Sequence, residues 1–166
     1  MYKRQIQSAT IDHLTQMSNR RGFEVLGNHV LATCARLSLP ATLLFFDLDG
    51  FKQINDQHGH SEGDRALQRF AEAMSLTFRT SDVYARLGGD EFVVLLSNTS
   101  EPEIHAALER LQHAIDASNA NVVPGLHLRF SAGAVTSEAG SEDIAALLRK
   151  ADQRMYENKR LRRTAV

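Results

Sequence analysis

The chain has 166 residues, 43% of them hydrophobic and 23% charged, with a formal net charge of −1, which suits one globular domain with an ample core. That balance gives no electrostatic footprint for nucleic acid or a membrane surface, and no apolar run approaches the ~20 residues that span a bilayer. A single cysteine, Cys34, excludes an intramolecular disulfide and, within the helix-like VLATCARL, reads as a small buried hydrophobe.

In chain order, residues 1–11 look like the end of a connecting helix, and the domain proper is expected over 12–166. Residues 19–38 predict a helix with apolar Phe23, Leu26, Val30, Leu31 and Leu37. ATLLFFDLDGF (41–51) is a near-continuous apolar run, the pattern of a buried central strand, that delivers Asp47 and Asp49 at its C-terminal end. The stretch FKQINDQHGHSEGDRAL that follows is too polar and too glycine-punctuated for one ordinary amphipathic helix. A helix over about 61–78 then places Leu67, Phe70, Met74 and Phe78 on one face.

DVYARLGGDEFVVLL (82–96) reads as a hairpin. Gly88-Gly89 supply the φ > 0 of a tight turn and, lacking Cβ, let an anion reach backbone N–H groups; Asp90 and Glu91 beside them offer hard oxygen ligands. By itself the segment is equally an ordinary hairpin with a solvated acidic turn. Pro102 opens a helix over 101–118, LHLRFSAGAVT (126–136) predicts a strand, and Ser141 caps a last helix to Lys159. Helix, strand, helix, hairpin, helix, strand, helix is an α+β order with mixed, mostly antiparallel pairing. Two acidic clusters, a lysine and several glycine turns suggest a nucleotide–metal pocket.

An ordered set of motifs now carries a family resemblance: Asp12-His13-Leu14-Thr15 through Asn19-Arg20-Arg21, FDLDGFKQIND with Gly59-His60 and Gly63-Asp64, RLGGDEF, and Ala151-Asp152 with Met155-Tyr156 and Lys159. The chain resembles the GGDEF diguanylate cyclases, which join two GTP molecules into cyclic di-GMP. This resemblance implies a palm-like sandwich and two Mg²⁺ (or Mn²⁺) ions per active site. The ions are held by Asp47, the carbonyl of Leu48, Asp90 and Glu91, with Asp90 a ligand first and a base second. It implies guanine recognition by Asn55 and Asp64, since an amide and a carboxylate match the guanine edge and leave adenine unpaired. Taken singly, these two would read as a helix-end residue and a cap. Further substrate contacts are implied for Phe51, Leu67, Gly88 and Gly89.

Lys52, Lys159 and Arg163 are the implied phosphate cations, although late in a helix such residues also serve its dipole. Asn158 stands where the family usually has Ala, and Arg162 where it has Gly. No catalytic role is assigned to Asn19, Arg20 or Arg21.

Arg79-Thr80-Ser81-Asp82 lies in the register of the family's R-x-x-D product-inhibition site, with Arg110 as a secondary arginine. One GTP per pocket implies a homodimer, and the resemblance also implies a cytoplasmic location and an upstream sensor. The alternative is a non-catalytic GTP- or cyclic di-GMP-binding signalling module. A polymerase-like transferase would need a basic template face that the net charge does not suggest.

Overall fold

The computed structural model describes residues 9–138 and 142–164. Its elements are α1 (Arg20–Leu37), β1 (Ala41–Leu48), α2 (Phe51–His58), α3 (His60–Thr77), β2 (Val83–Gly88), β3 (Glu91–Ser97), α4 (Glu101–Asn119), a 3₁₀ turn (Pro124–Leu126), β4 (Phe130–Ser137) and α5 (Ile144–Thr164). The strands form one sheet in the order β2-β3-β1-β4, and every ladder is antiparallel. Of the expected mixed pairing, the parallel component among the described residues is a single bridge from Ser18 to Ala85.

β1 reads as a continuous apolar run because both sheet faces are covered. Leu44, Phe46 and Leu48 join Phe92, Val94 and Leu96 against α3 and α4. Leu43 and Phe45 join Val93 and Leu95 against α1 and α5. Phe46 is fully buried and meets Phe70 and Phe130 edge-on at 6.0 and 5.8 Å, a geometry that adds to its burial.

The elements depart from the sequence expectation in four places. On α1 the buried stripe is Phe23, Gly27 and Cys34, while Leu26 and Leu37 are exposed. At about 100° per residue Phe23, Gly27 and Cys34 fall within about 40° of one another, whereas Leu26 lies about 60° or more to one side; a Cβ at Gly27 would lie 2.9 Å from Ile144 Cδ1 of α5. The polar stretch after β1 is two helices, broken at Gly59 with φ 88°.

The strand expected from 126 starts at Phe130 instead, because other groups claim the preceding backbone. Arg69 donates to Leu126 O, and Asn119 exchanges two hydrogen bonds with the backbone of Leu128 at 2.7 and 2.9 Å. The last helix begins at Ile144 and runs on to Thr164, with the Asp143 carboxylate accepting from Ala146 N at 2.8 Å. Ser141, expected as its cap, and residues 1–8 of the connecting helix lie outside the described residues.

α5 presses directly on β4. A Cβ at Gly133 would stand 2.2 Å from Met155 N and 2.4 Å from Ala151 O, both rigid backbone atoms. Gly133→Ala is expected to destabilise the fold by about 3 kcal/mol, the upper range for overpacking, measured by urea unfolding; an unchanged midpoint would show that the helix can lift without cost.

Candidate active site

Strand parity builds the acidic end. In the β1 register Asp47 stands opposite Glu91 of β3 and Ser131 of β4. Side chains alternate between faces, so Asp47 follows Leu43 and Phe45 to the α1/α5 face, and Glu91 follows Val93 and Leu95 there. Gly88 and Gly89, with φ of 139° and 49°, close the β2–β3 turn in backbone regions that side chains disfavour. The turn brings the Asp90 carbonyl to 3.2 Å from Leu48 N, stitching the hairpin tip to the end of β1.

Crowded carboxylates shift one another. Burial, then the hydrogen bond and charge of Asp47, push the Asp90 carboxyl up to about 7, with Lys159 opposing. Burial and then the charge of Asp152 raise Glu91; Arg20 pulls it back and Asp47 adds to the rise. Lys159 donates to Asp47 Oδ2 at 2.6 Å and lies 3.3 Å from Asp49 Oδ1. Burial works against its charge, yet the Asp47 and Asp49 contacts win and raise its pKa. Ser131 Oγ in turn donates to Asp49 at 2.9 Å.

Such a donor set suits a hard divalent cation. Among the described residues, no three acidic, His or Cys side chains already converge as a closed cage. Mg²⁺ needs none, since it keeps several waters and is held by one or two carboxylates plus substrate phosphates. The Asp47–Asp90 pair, already satisfied in part by an ammonium group, fits that requirement.

At the α2–α3 corner, Gly63 packs on the Asn55 amide so closely that a Cβ would fall 1.9 Å from its Oδ1. Asn55 and Phe51 are half-buried, Leu67 is buried, and Asp64 and Lys52 are exposed. Lys159 and Arg163 share a cleft of about 470 Å³ with Asp49, Arg129 and Arg162; Lys52 is not part of its wall.

Arg79, Asp82 and Arg110 come together in a separate cleft of about 200 Å³, bounded by the end of β3 and by α4. Asp82 Oδ2 accepts from Arg79 N at 2.8 Å, which fixes the R-x-x-D turn. β3 runs from Glu91 to Ser97, about 20 Å at strand rise, so this cleft and the acidic tip occupy opposite ends of the sheet.

Several contributors escaped sequence reasoning. Asp152 sits seven residues, two helical turns, before Lys159 and therefore shares its face of α5, a spacing that could have shown it. Arg20, given no catalytic role, places its charge in the field of Glu91. The largest omission is Arg86, whose Nε donates to Gly89 O at 2.9 Å and whose Nη1 donates to Asp12 Oδ1 at 2.8 Å. Asp12 also accepts from the Thr15 amide and hydroxyl at 2.9 and 2.7 Å.

An α+β sandwich whose central strand and glycine hairpin present clustered carboxylates beside cationic clefts is a domain suited to hold a hard cation together with an anionic ligand. The family model described as "Diguanylate cyclase, GGDEF domain" matches residues 9–165, and the chain belongs to that family. It is 34% identical over 160 residues to the "Probable diguanylate cyclase DgcC" of Escherichia coli (strain K12), covering 96% of this chain and 43% of that protein. The chain thus spans less than half the length of that relative.

The GGDEF domain of TpbB (YfiN) from Pseudomonas aeruginosa is 33% identical with a TM-score of 0.81, covering 91% of this chain and 89% of that one. The coiled coil and GGDEF domain of DgcB from Caulobacter crescentus, solved in complex with c-di-GMP, has a TM-score of 0.86 at 23% identity. It covers 96% of this chain and 85% of that one, a likeness of fold. Among the described residues no helix is long and apolar enough to cross a membrane.

The Asp12–Arg86 pair has a pH signature. Burial raises the Asp12 pKa, but hydrogen bonds from Thr15 and the Arg86 charge outweigh it and leave it lowered. A lowered folded-state pKa contributes stability above the unfolded value, lost as pH falls through the folded one. Asp12→Asn is therefore expected to be less stable than wild type at pH 7, by about 1–3 kcal/mol. The gap should narrow below about pH 4. Urea unfolding at pH 7 and pH 3.5 checks this, and a gap independent of pH would remove the ion pair as its cause.

Proposed function

We propose that this domain is a diguanylate cyclase that condenses two GTP molecules into cyclic di-GMP and pyrophosphate. The observation that carries the reading is the placement of Asp47, Asp90 and Glu91 at one sheet tip, two of them facing Lys159 and Asp152 across the α5 side. Family membership and the names of the relatives support it.

Asp47, the Leu48 carbonyl, Asp90 and Glu91 would hold two Mg²⁺ or Mn²⁺ ions. When bound, such ions favour a 3′-oxyanion nucleophile and stabilise the pyrophosphate leaving group. Asp90 serves first as a ligand, and its raised carboxyl also suits it to accept the 3′-hydroxyl proton. Asn55 and Asp64 read the guanine edge, with Gly63 setting the amide's seat. Phe51 and Leu67 flank the base, and Gly88 and Gly89 leave room for phosphates at the turn. Lys159 and Arg163 receive the terminal phosphates, with Lys52 contributing charge from α2.

Each domain supplies one nucleotide, so the active form is a two-fold homodimer in which each 3′-hydroxyl faces the other's α-phosphate. An upstream sensor would control that pairing through the connecting segment at residues 1–11, in the cytoplasm where GTP is found. The Arg79, Asp82 and Arg110 cleft binds the product and inhibits the enzyme. Its arginines match phosphates bidentately, and Asp82 matches the guanine edge.

Incubating concentrated protein with GTP and Mg²⁺ and resolving nucleotides by chromatography should yield cyclic di-GMP from wild type and none from Glu91→Ala. Bound GTP without product, from protein shown to be dimeric, would favour a non-catalytic binding module. Added cyclic di-GMP should inhibit wild type and leave Arg79→Ala/Asp82→Ala uninhibited; equal inhibition of both would place the inhibitory site elsewhere.

A further inference from the structure

β4 is the terminal strand of the sheet, paired with β1 on one side only. Edge carbonyls of this kind are normally left to water or to another chain. Here α5 takes them in sequence. Arg154 Nη1 donates to Ala134 O at 2.8 Å, Asn158 Nδ2 to Ala132 O at 2.9 Å, and Arg162 Nη1 to Phe130 O at 2.9 Å.

The spacing has a geometric cause. Four residues of helix advance about 6.0 Å, and two residues of strand advance about 6.7 Å. Helix and strand run in opposite directions, so each turn of α5 meets the next outward carbonyl of β4. At Gly133 the two backbones are in contact, which holds the helix close enough for side chains as short as Asn to reach. Lys159 follows Asn158 and reaches inward to Asp47 and Asp49. A shift of α5 by one residue would rotate each donor by about 100° away from its carbonyl and swing Lys159 off the carboxylates.

We propose that Arg154, Asn158 and Arg162 are positioning residues: a ladder of donors that locks the axial register of α5 on β4 and thereby holds Lys159 at Asp47. Asn158 and Arg162 supply two of the three donors, and Ala or Gly at those positions would have none. The ladder rests on the cyclase reading only for Lys159's role toward GTP; the register itself does not depend on it.

The test uses the intact chain and the reactivity of lysine amines toward acetic anhydride, read by peptide mass spectrometry with exposed Lys52 of α2 as the internal reference. In wild type Lys159, whose side chain is only 16% exposed, is expected to label slowly. In Arg154→Ala/Asn158→Ala/Arg162→Ala it should label about fivefold faster, the size of change that loss of ordinary hydrogen bonds supports. The reference lysine should be unchanged.

Arg162→Ala alone should give part of the rise, and Arg162→Lys, which keeps one donor for Phe130 O, should restore slow labelling. The KM for GTP should rise in the triple variant with kcat little altered. Lys159 labelling at the wild-type rate in a folded triple variant would overturn the proposal. If that variant unfolds, equal labelling of Arg162→Ala and Arg162→Lys would do so. Loss of protection with no cyclase activity in wild type would uphold the ladder and count against the functional reading alone.

Discussion

The register of β1 between β3 and β4 is the constraint on which the rest depends. Even-numbered positions of the strand enter the aromatic core with Phe70 and Phe92, and odd-numbered positions face α1 and α5. Asp47 is therefore on the Lys159 side for the same reason that Phe46 is in the core. A slip of one residue would drive the Asp47 carboxylate among phenylalanines and put Phe46 at the cationic helix. The edge-to-face contacts of Phe46 with Phe70 and Phe130 act against that slip, so hydrophobic packing at the centre fixes the geometry of charge at the tip.

That geometry opposes itself electrostatically. Burial raises the Asp90 and Glu91 carboxyls, and the neighbouring charges of Asp47 and, for Glu91, Asp152 raise them further. Lys159 is the principal internal counter-charge, bound to Asp47 and near Asp49. A fold selected for stability alone would not gather carboxylates at a glycine turn. Local disagreement of this kind with good packing marks a place where binding a cation and an anionic ligand together relieves the strain.

What the sequence made legible was local or periodic. β1 and the hairpin could be read because an apolar run ending in Asp-Leu-Asp and a Gly-Gly pair each carry their own backbone logic. Arg79, Asp82 and Arg110 could be grouped only through family register, and in the structure the three line one cleft. Asp152 was within reach of its seven-residue spacing from Lys159, but the contributions of Arg20 and Arg86 and the Arg154–Asn158–Arg162 ladder depend on which element packs against which, information that no window of residues contains. The start of β4 failed for the same reason: Arg69 and Asn119 compete for its backbone from α3 and α4.

Arg86 shows how much can turn on such a tertiary contact. Its guanidinium joins the Asp12 carboxylate to the carbonyl of Gly89, the residue at φ 49° that shapes the acidic turn. Its own backbone N–H donates to Ser18 O at 3.0 Å, tying the strand to the other end of the same N-terminal turn. A planar fork has little freedom to absorb displacement. Movement of the turn at residues 12–18 must therefore carry Gly89 with it or break charge-assisted hydrogen bonds of about 1.5–3 kcal/mol. One guanidinium thus ties the turn at residues 12–18 to the hairpin tip, although 74 residues separate Asp12 from Arg86.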